Sequence, residues 1–321
     1  MSDVSVGAPE AAASTERIDL KVGFACNNRC HFCVQGDKRS RFAPRPTEEL
    51  RDVLRTERRR VRSVVFTGGE PTMRRDLPEL VAYARELGYT TIQIQTNGRM
   101  FAHAGYARRL VECGATEFSP ALHGHRPELH DHLTEAPGAF AQTVAGIRNL
   151  KALGQLVLTN TVVTRSNYRH LPEIVRLLVS LGVDQLQLAF VHPVGTAGAE
   201  FQAVVPRMEL AAPYLAAALR LALDAGRRVY TEAVPPCVIP GYERCVVETL
   251  IPRTAIYDAE STIADYTQYR LAEGKLKGPE CPTCLHFAEC EGPWREYPER
   301  YGWSEFRPVT AAPAARAGDP A

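Results

Sequence analysis

Between residues 18 and 205, short apolar segments of strand length alternate with longer segments of helical periodicity. This alternation restricts the fold more than any other feature of the chain. IDLKVGF (18–24), SVVFT (63–67), TIQIQT (91–96), EFSPAL (117–122), LVLTNTVVT (156–164) and QLQLAFV (185–191) read as strands. The intervening stretches read as helices, with Thr47 as an N-cap and Gly88, Gly114 and Gly154 as stops. Six strand–helix repeats in about 180 residues predict an α/β fold with a parallel sheet under covering helices. The apolar strands suit burial on both faces. A partial six-stranded barrel and an open doubly wound sheet both satisfy the count.

After residue 205 the rhythm breaks. One more helix (RMELAAPYLAAALRLALDAG), a short strand (RRVYTE) and a Pro-, Gly- and Cys-rich region follow. Residues 206–307 therefore read as a second, smaller unit. Residues 1–17 and 308–321 are Ala/Pro-rich, too poor in apolar surface to fold alone, and read as disordered tails. A net charge of +1 removes the basic excess that nucleic-acid binding requires. The one basic run, RTERRRVR (55–62), reads as a solvated helix end or as a patch for an acidic partner or reductase. No apolar run reaches the ~18 residues of a membrane span, and the N-terminus lacks a secretory pattern. These features predict a cytoplasmic protein with reduced thiols.

Three cysteines, Cys26, Cys30 and Cys33, fall in the loop FACNNRCHFC after the first strand. Structural zinc takes four ligands, usually as two close pairs, and no second pair lies nearby. His31 is a candidate for a fourth ligand, but its place between Cys30 and Cys33 hinders it from turning inward. A three-thiolate loop otherwise suits a 4Fe-4S cluster with one iron left open, as a catalytic metal site requires.

The spacing C-x3-C-x2-C resembles the signature of the radical S-adenosylmethionine (radical SAM) enzymes. Phe32 matches the aromatic residue usual before the third cysteine. FTGGEPT (66–72) at the end of the second strand resembles the family's GGEP segment. The resemblance spans roughly 18–205 and implies a partial (β/α)6 TIM-like barrel. It also implies that S-adenosylmethionine chelates the open iron, with Phe32 near the adenine and Gly68, Gly69, Glu70 and Pro71 near the methionine ammonium. Taken without the cysteines, GGEP would be an ordinary glycine turn, with the glycines admitting a close approach of the backbone to a ligand.

Barrels of this type place chemistry at the C-terminal ends of strands. Asn97 closes the third strand, and Asn160 and Thr161 lie in the fifth, where related enzymes contact the cofactor. Buried structural polar groups are the competing account for the fifth-strand pair. SPALHGHRPELHDHLT (119–134) carries His123, His125, His130 and His132 without a convincing metal spacing. It is similar to the family's strand-four segment, with Ala121 and His123 in place of the usual Ser and Asp. His123 is the candidate for the substrate cavity. His192 either faces the cavity or simply precedes Pro193 in an extended turn.

CPTCLHFAEC gives Cys281, Cys284 and Cys290 in a C-x2-C-x5-C run, preceded by Cys237 and Cys245. A zinc knuckle and an auxiliary 4Fe-4S cluster both fit. The run resembles the SPASM and twitch extensions of radical SAM enzymes, with Trp294 at the position of the further SPASM cysteine. That implies one auxiliary cluster, on Cys281, Cys284, Cys290 and Cys237. Cys245 rivals Cys237; if spare, it donates a hydrogen atom to a substrate radical or is inert. Cys113 reads as a small buried hydrophobe.

The family resemblance implies reductive cleavage of S-adenosylmethionine to a 5′-deoxyadenosyl radical. That radical would take hydrogen from a peptide or small metabolite for oxidation, cross-linking, epimerisation or rearrangement. A flavodoxin- or ferredoxin-type reductase would donate the electron. The stretch before residue 18 offers no room for a leader-peptide-binding domain. The alternative from another class is a non-catalytic iron–sulfur electron carrier or zinc-stabilised binding protein.

Overall fold

The computed structural model describes residues 16–311; most of both expected tails lies outside this span. Arg17, assigned to the N-terminal tail, instead opens the first strand. The strands are β1 (Arg17–Lys21), β2 (Ser63–Thr67), β3 (Thr91–Thr96), β4 (Glu117–Pro120), β5 (Leu156–Val163) and β6 (Gln185–Phe190). They lie side by side in chain order, all parallel. The intervening helices include α1 (Thr47–Glu57), α2 (Leu77–Glu86), α3 (Ala104–Cys113), α4 (Ala139–Ala152) and α5 (Leu171–Ser180). The sheet is an unclosed TIM-like barrel, as the resemblance implies.

Both edges extend beyond the six strands. After α6 (Met208–Asp224), β7 (Arg228–Glu232) adds in parallel to β6. At the other edge β8 (Thr254–Tyr257) pairs in parallel with β1, and β9 (Thr262–Ile263) turns back on β8. The Cys-rich last third of the chain thus extends the barrel wall at both edges without closing it.

The expectation of strands buried on both faces is corrected by their alternation. In β1, Ile18 and Leu20 are buried under the helices, whereas Arg17, Asp19 and Lys21 line an internal cavity. Ile92 and Ile94 against Gln93 and Gln95 repeat this on β3. Strand period 2 puts the aliphatic set into one continuous core with Leu50, Leu54, Leu80 and Ile174, and the polar set into the lumen. Thr47 is not an N-cap: Pro46 holds that position, and the Thr47 hydroxyl donates to Asp76 Oδ2 at 2.5 Å.

Candidate active site

The lumen is a cavity of about 700 Å³. At the C-terminal ends of the strands it is walled by Cys26, Cys30 and Cys33 with Gly68, Gly69 and Asn97. The cysteine loop is held open by backbone contacts rather than by regular structure. Arg29 N donates to Thr134 O at 2.8 Å, His31 N to Leu133 O at 3.2 Å, and Thr196 N to Cys33 O at 3.0 Å. Two arginines that the motifs do not flag complete the hold. Arg99 Nη1 donates to Asn28 Oδ1 at 2.8 Å, and Arg39 Nη2 to Asn28 O at 2.8 Å. Arg99 was findable as a cation immediately past the strand-three turn; Arg39 carried no sequence signal.

His31 does not face the thiols. Its Nε2 lies 3.7 Å from Glu135 and its Nδ1 3.7 Å from Glu200, so both ring nitrogens are turned to carboxylates outside the loop. The loop therefore offers three sulfurs. Burial pushes the Cys26 and Cys30 thiols up, and for Cys30 the charges of Cys33 and Cys26 add to it. Three such soft donors ionise together when a metal centre supplies positive charge among them. The donor set fits a 4Fe-4S cluster with one open position.

The GGEP loop packs against the chain entering the cysteines. Gly69 N donates to Gly23 O and Glu70 N to Ala25 O, both at 2.8 Å. A Cβ on Gly68 would stand 2.2 Å from Gly23 O, and one on Gly69 2.4 Å from Phe24 O. The glycines are thus required by the cysteine segment, a reason closer to hand than approach to a ligand. The Glu70 carboxylate is spent on the loop itself. Oε1 accepts from Thr72 N (3.0 Å), Thr72 Oγ1 (2.5 Å) and Thr96 Oγ1 (2.7 Å), and Oε2 from Asn97 N (2.6 Å). Glu70 and Pro71 are buried and absent from the cavity wall, so they shape the site from behind.

Asn97 Nδ2 donates to Asn27 Oδ1 at 2.6 Å, tying strand three to the cysteine loop. On β5, Asn160 reaches the cavity and its Oδ1 is buried without a partner. A buried, unsatisfied acceptor costs about 1–3 kcal/mol, which a ligand donor in the cavity would recover. Thr161 points the other way; its hydroxyl donates to Leu122 O at 2.7 Å, and it does not line the lumen. The expectation of a cofactor contact at Thr161 is corrected by strand alternation.

Phe32 lines the cavity with its ring edge-on to His123, centroids 4.6 Å apart. His123 is buried on the cavity wall, and its Nδ1 accepts from Val162 N at 3.2 Å. Burial, then the His130 charge, holds its pKa well below the ordinary value. The ring is neutral near pH 7, with its proton on Nε2. His130 Nδ1 accepts from His123 N at 3.1 Å, so neither Nδ1 is free for a metal. His192 stacks on Trp294 at 3.8 Å, away from the lumen.

Cys237, Cys281, Cys284 and Cys290 line one small apolar pocket. Gly278 N, Val309 N and Gly292 N donate to the sulfurs of Cys281 (3.1 Å), Cys284 (3.4 Å) and Cys290 (3.3 Å). Burial and the other three thiols push Cys237 up to about 12. Cys245 is 2% exposed and lines neither cavity, so the structure does not place it as a ligand or as a hydrogen donor to substrate. Among the described residues no trio of His, Cys, Asp or Glu converges as for a single ion. The basic run sits where α1 leads into β2, at the strand end opposite the cysteine loop, with Arg55 on Asp52 and Arg60 on Glu57. An electron donor bound there would be far from the thiols.

The chain matches the family model of the Radical SAM superfamily over residues 20–188. It is 32% identical to a probable GTP 3′,8-cyclase of Metallosphaera sedula over 188 residues, covering 57% of this chain and 58% of the relative. A probable GTP 3′,8-cyclase of Sulfolobus acidocaldarius is 30% identical over 182 residues, covering 56% and 57%. The chain thus spans under two thirds of these relatives. Streptococcus suis SuiB, solved with S-adenosylmethionine, superposes with a TM-score of 0.65 at 15% identity over 88% of this chain and 73% of that one. The same protein has been solved with the precursor peptide SuiA. anSMEcpe with bound AdoMet gives 0.55 at 17% identity, covering 67% and 64%.

Proposed function

The chain belongs to the radical SAM superfamily, and on that premise we propose that it is an enzyme acting on a peptide or small metabolite held inside the barrel. When bound, a 4Fe-4S cluster with S-adenosylmethionine supplies a 5′-deoxyadenosyl radical that takes a hydrogen atom from substrate. Cys26, Cys30 and Cys33 would hold the cluster. Gly68 and Gly69 present backbone to the cofactor, Asn160 Oδ1 accepts from it, and Phe32 packs its adenine side. His123, as a neutral Nε2–H donor, orients substrate without adding charge. The walls exclude bulk water from the reacting atoms.

The observation that carries this reading is the meeting of the three-thiol loop and the GGEP loop at the mouth of one large cavity. An electron carrier would have no use for that cavity. The relatives favour a nucleotide-sized metabolite and the structural neighbours a peptide, and either would enter this lumen. Cys237, Cys281, Cys284 and Cys290 are the proposed ligands of one auxiliary 4Fe-4S cluster in a SPASM- or twitch-like extension. A flavodoxin- or ferredoxin-type reductase is the proposed electron donor. No helix among the described residues is long and apolar enough to cross a membrane. None of the nine cysteines is paired in a disulfide, and we read the chain as cytoplasmic.

The test is S-adenosylmethionine binding to anaerobically reconstituted protein, followed by calorimetry and by electron paramagnetic resonance of the reduced clusters. Stoichiometric binding with a changed cluster signal supports the reading. Zinc in place of iron, or no binding, rejects it.

A further inference from the structure

The substrate side of the lumen is defined by what the cofactor motifs leave free. Those motifs occupy β1 to β3, whereas β7 lies at the far edge of the parallel array. Glu232 is the last residue of β7, at the strand end that carries the thiols, and it lines the cavity. Its Oε2 accepts from Gln187 Nε2 at 2.5 Å. The next residue, Ala233, is fully buried at φ +57° and donates its N–H to Glu248 Oε1 at 2.6 Å, which fixes the turn beneath the carboxylate.

The cations of the cavity wall are committed or remote. Arg17 and Arg228 open β1 and β7, at the opposite end of the lumen. Lys21 Nζ lies 3.8 Å from Asp19, and Arg39 donates to the cysteine loop. Two of the wall amides direct a donor to a wall carboxylate. A carboxylate can only accept, so Gln187 and Gln93 turn their N–H groups to Glu232 and Glu117 (3.0 Å) and leave their oxygens uncommitted. Asp19 Oδ1 is buried and makes no hydrogen bond, with Lys21 as its charged neighbour at 3.8 Å. The wall facing substrate is therefore rich in acceptors and has one carboxylate at the level of the chemistry.

We propose that Glu232 is a specificity-determining residue that receives a protonated amine of the substrate. The inference rests on the lumen being the site of radical chemistry. Burial, then the neighbouring charge of Glu248, pushes the Glu232 carboxyl above its ordinary range despite the opposing charges of Lys275 and Arg270, which do not line the cavity, and an arriving ammonium relieves that cost.

The test uses reconstituted holoenzyme with S-adenosylmethionine and no reductant. Calorimetry compares 2-deoxystreptamine with scyllo-inositol, and N-acetyl-lysine N-methylamide with its norleucine counterpart; GTP is the anionic control. The proposal expects the amine to bind about tenfold or more tightly than its neutral partner in at least one pair. That preference should vanish in Glu232→Gln and return in part in Glu232→Asp, with iron content and S-adenosylmethionine affinity retained. Equal binding within both pairs, no binding by any amine, a preference that survives Glu232→Gln, or tighter binding of GTP would overturn it. Loss of S-adenosylmethionine binding in the unsubstituted protein would instead remove the functional reading itself.

Discussion

Lys275 Nζ lies 2.5 Å from Glu248 Oε1, with the two side chains 0% and 4% exposed. Lys275 also reaches Glu291 Oε2 at 3.2 Å, and Glu291 takes two bonds from Arg270, at 2.8 and 2.9 Å. Four alternating charges therefore join the turn after β7 to the loop that follows Cys290. Removing one partner strands a buried charge, which costs about 3–5 kcal/mol. Lys275→Met should lower stability by that order in urea unfolding under reducing conditions. Lys275→Met with Glu248→Gln should cost clearly less, because no charge is left alone. Equal losses would deny the pairing its role.

Gly69→Ala tests the contact between the two motifs. The added Cβ would meet Phe24 O at 2.4 Å and Ala25 O at 2.5 Å, and backbone cannot yield as a flexible side chain can. Overpacking of this kind costs about 1–3 kcal/mol. S-adenosylmethionine affinity should fall at least about tenfold while the Cys237 pocket keeps its metal. Calorimetry with metal analysis checks both.

Glu70→Gln should loosen the same loop from inside. Four donors converge on the carboxylate, and an amide nitrogen would face one of them, leaving a clash or an unmade bond worth about 1–3 kcal/mol. Hydrogen exchange at residues 68–73 and at Asn97 should accelerate while β5 and β6 stay protected. Uniform acceleration would point to general destabilisation instead.

His130 gives a pH dependence with a definite sign. Burial lowers its pKa from 6.5 to about 4, so the unfolded chain takes up the proton first. The native state pays nothing above pH ~6.5, loses stability as pH falls towards ~4, and has lost about 3 kcal/mol below that. His130→Asn, which keeps an acceptor for His123 N, should reduce the slope of the stability profile between about pH 6.5 and 4, with buried His123 supplying what remains. An unchanged slope would contradict the assignment.

The fold core and the thiols were readable because each follows a local rule. Strand–helix alternation gave β1 to β6, with TIQIQT and SVVFT correct to the residue. What failed to show depends on contacts distant in sequence. β8 is four residues of an irregular region, recognisable as a strand only through its pairing with β1. Thr161 and Asn160 are adjacent and both polar, and only the phase of β5 separates the cavity from the helix side. Glu232 read only as the end of the short strand RRVYTE, since nothing local reveals that β7 lines the lumen. The outward turn of His31 depends on Glu135 and Glu200, about 100 and 170 residues away.

The central claim is that Cys26, Cys30 and Cys33 hold a cluster whose open position serves S-adenosylmethionine. Iron content and 5′-deoxyadenosine release under dithionite, for the reconstituted protein and for its Cys26→Ala/Cys30→Ala/Cys33→Ala variant, test it most directly. About eight irons with release in the former, and about four with none in the latter, is the predicted result. Release that persists without the three thiols, or an unchanged iron count, would contradict it.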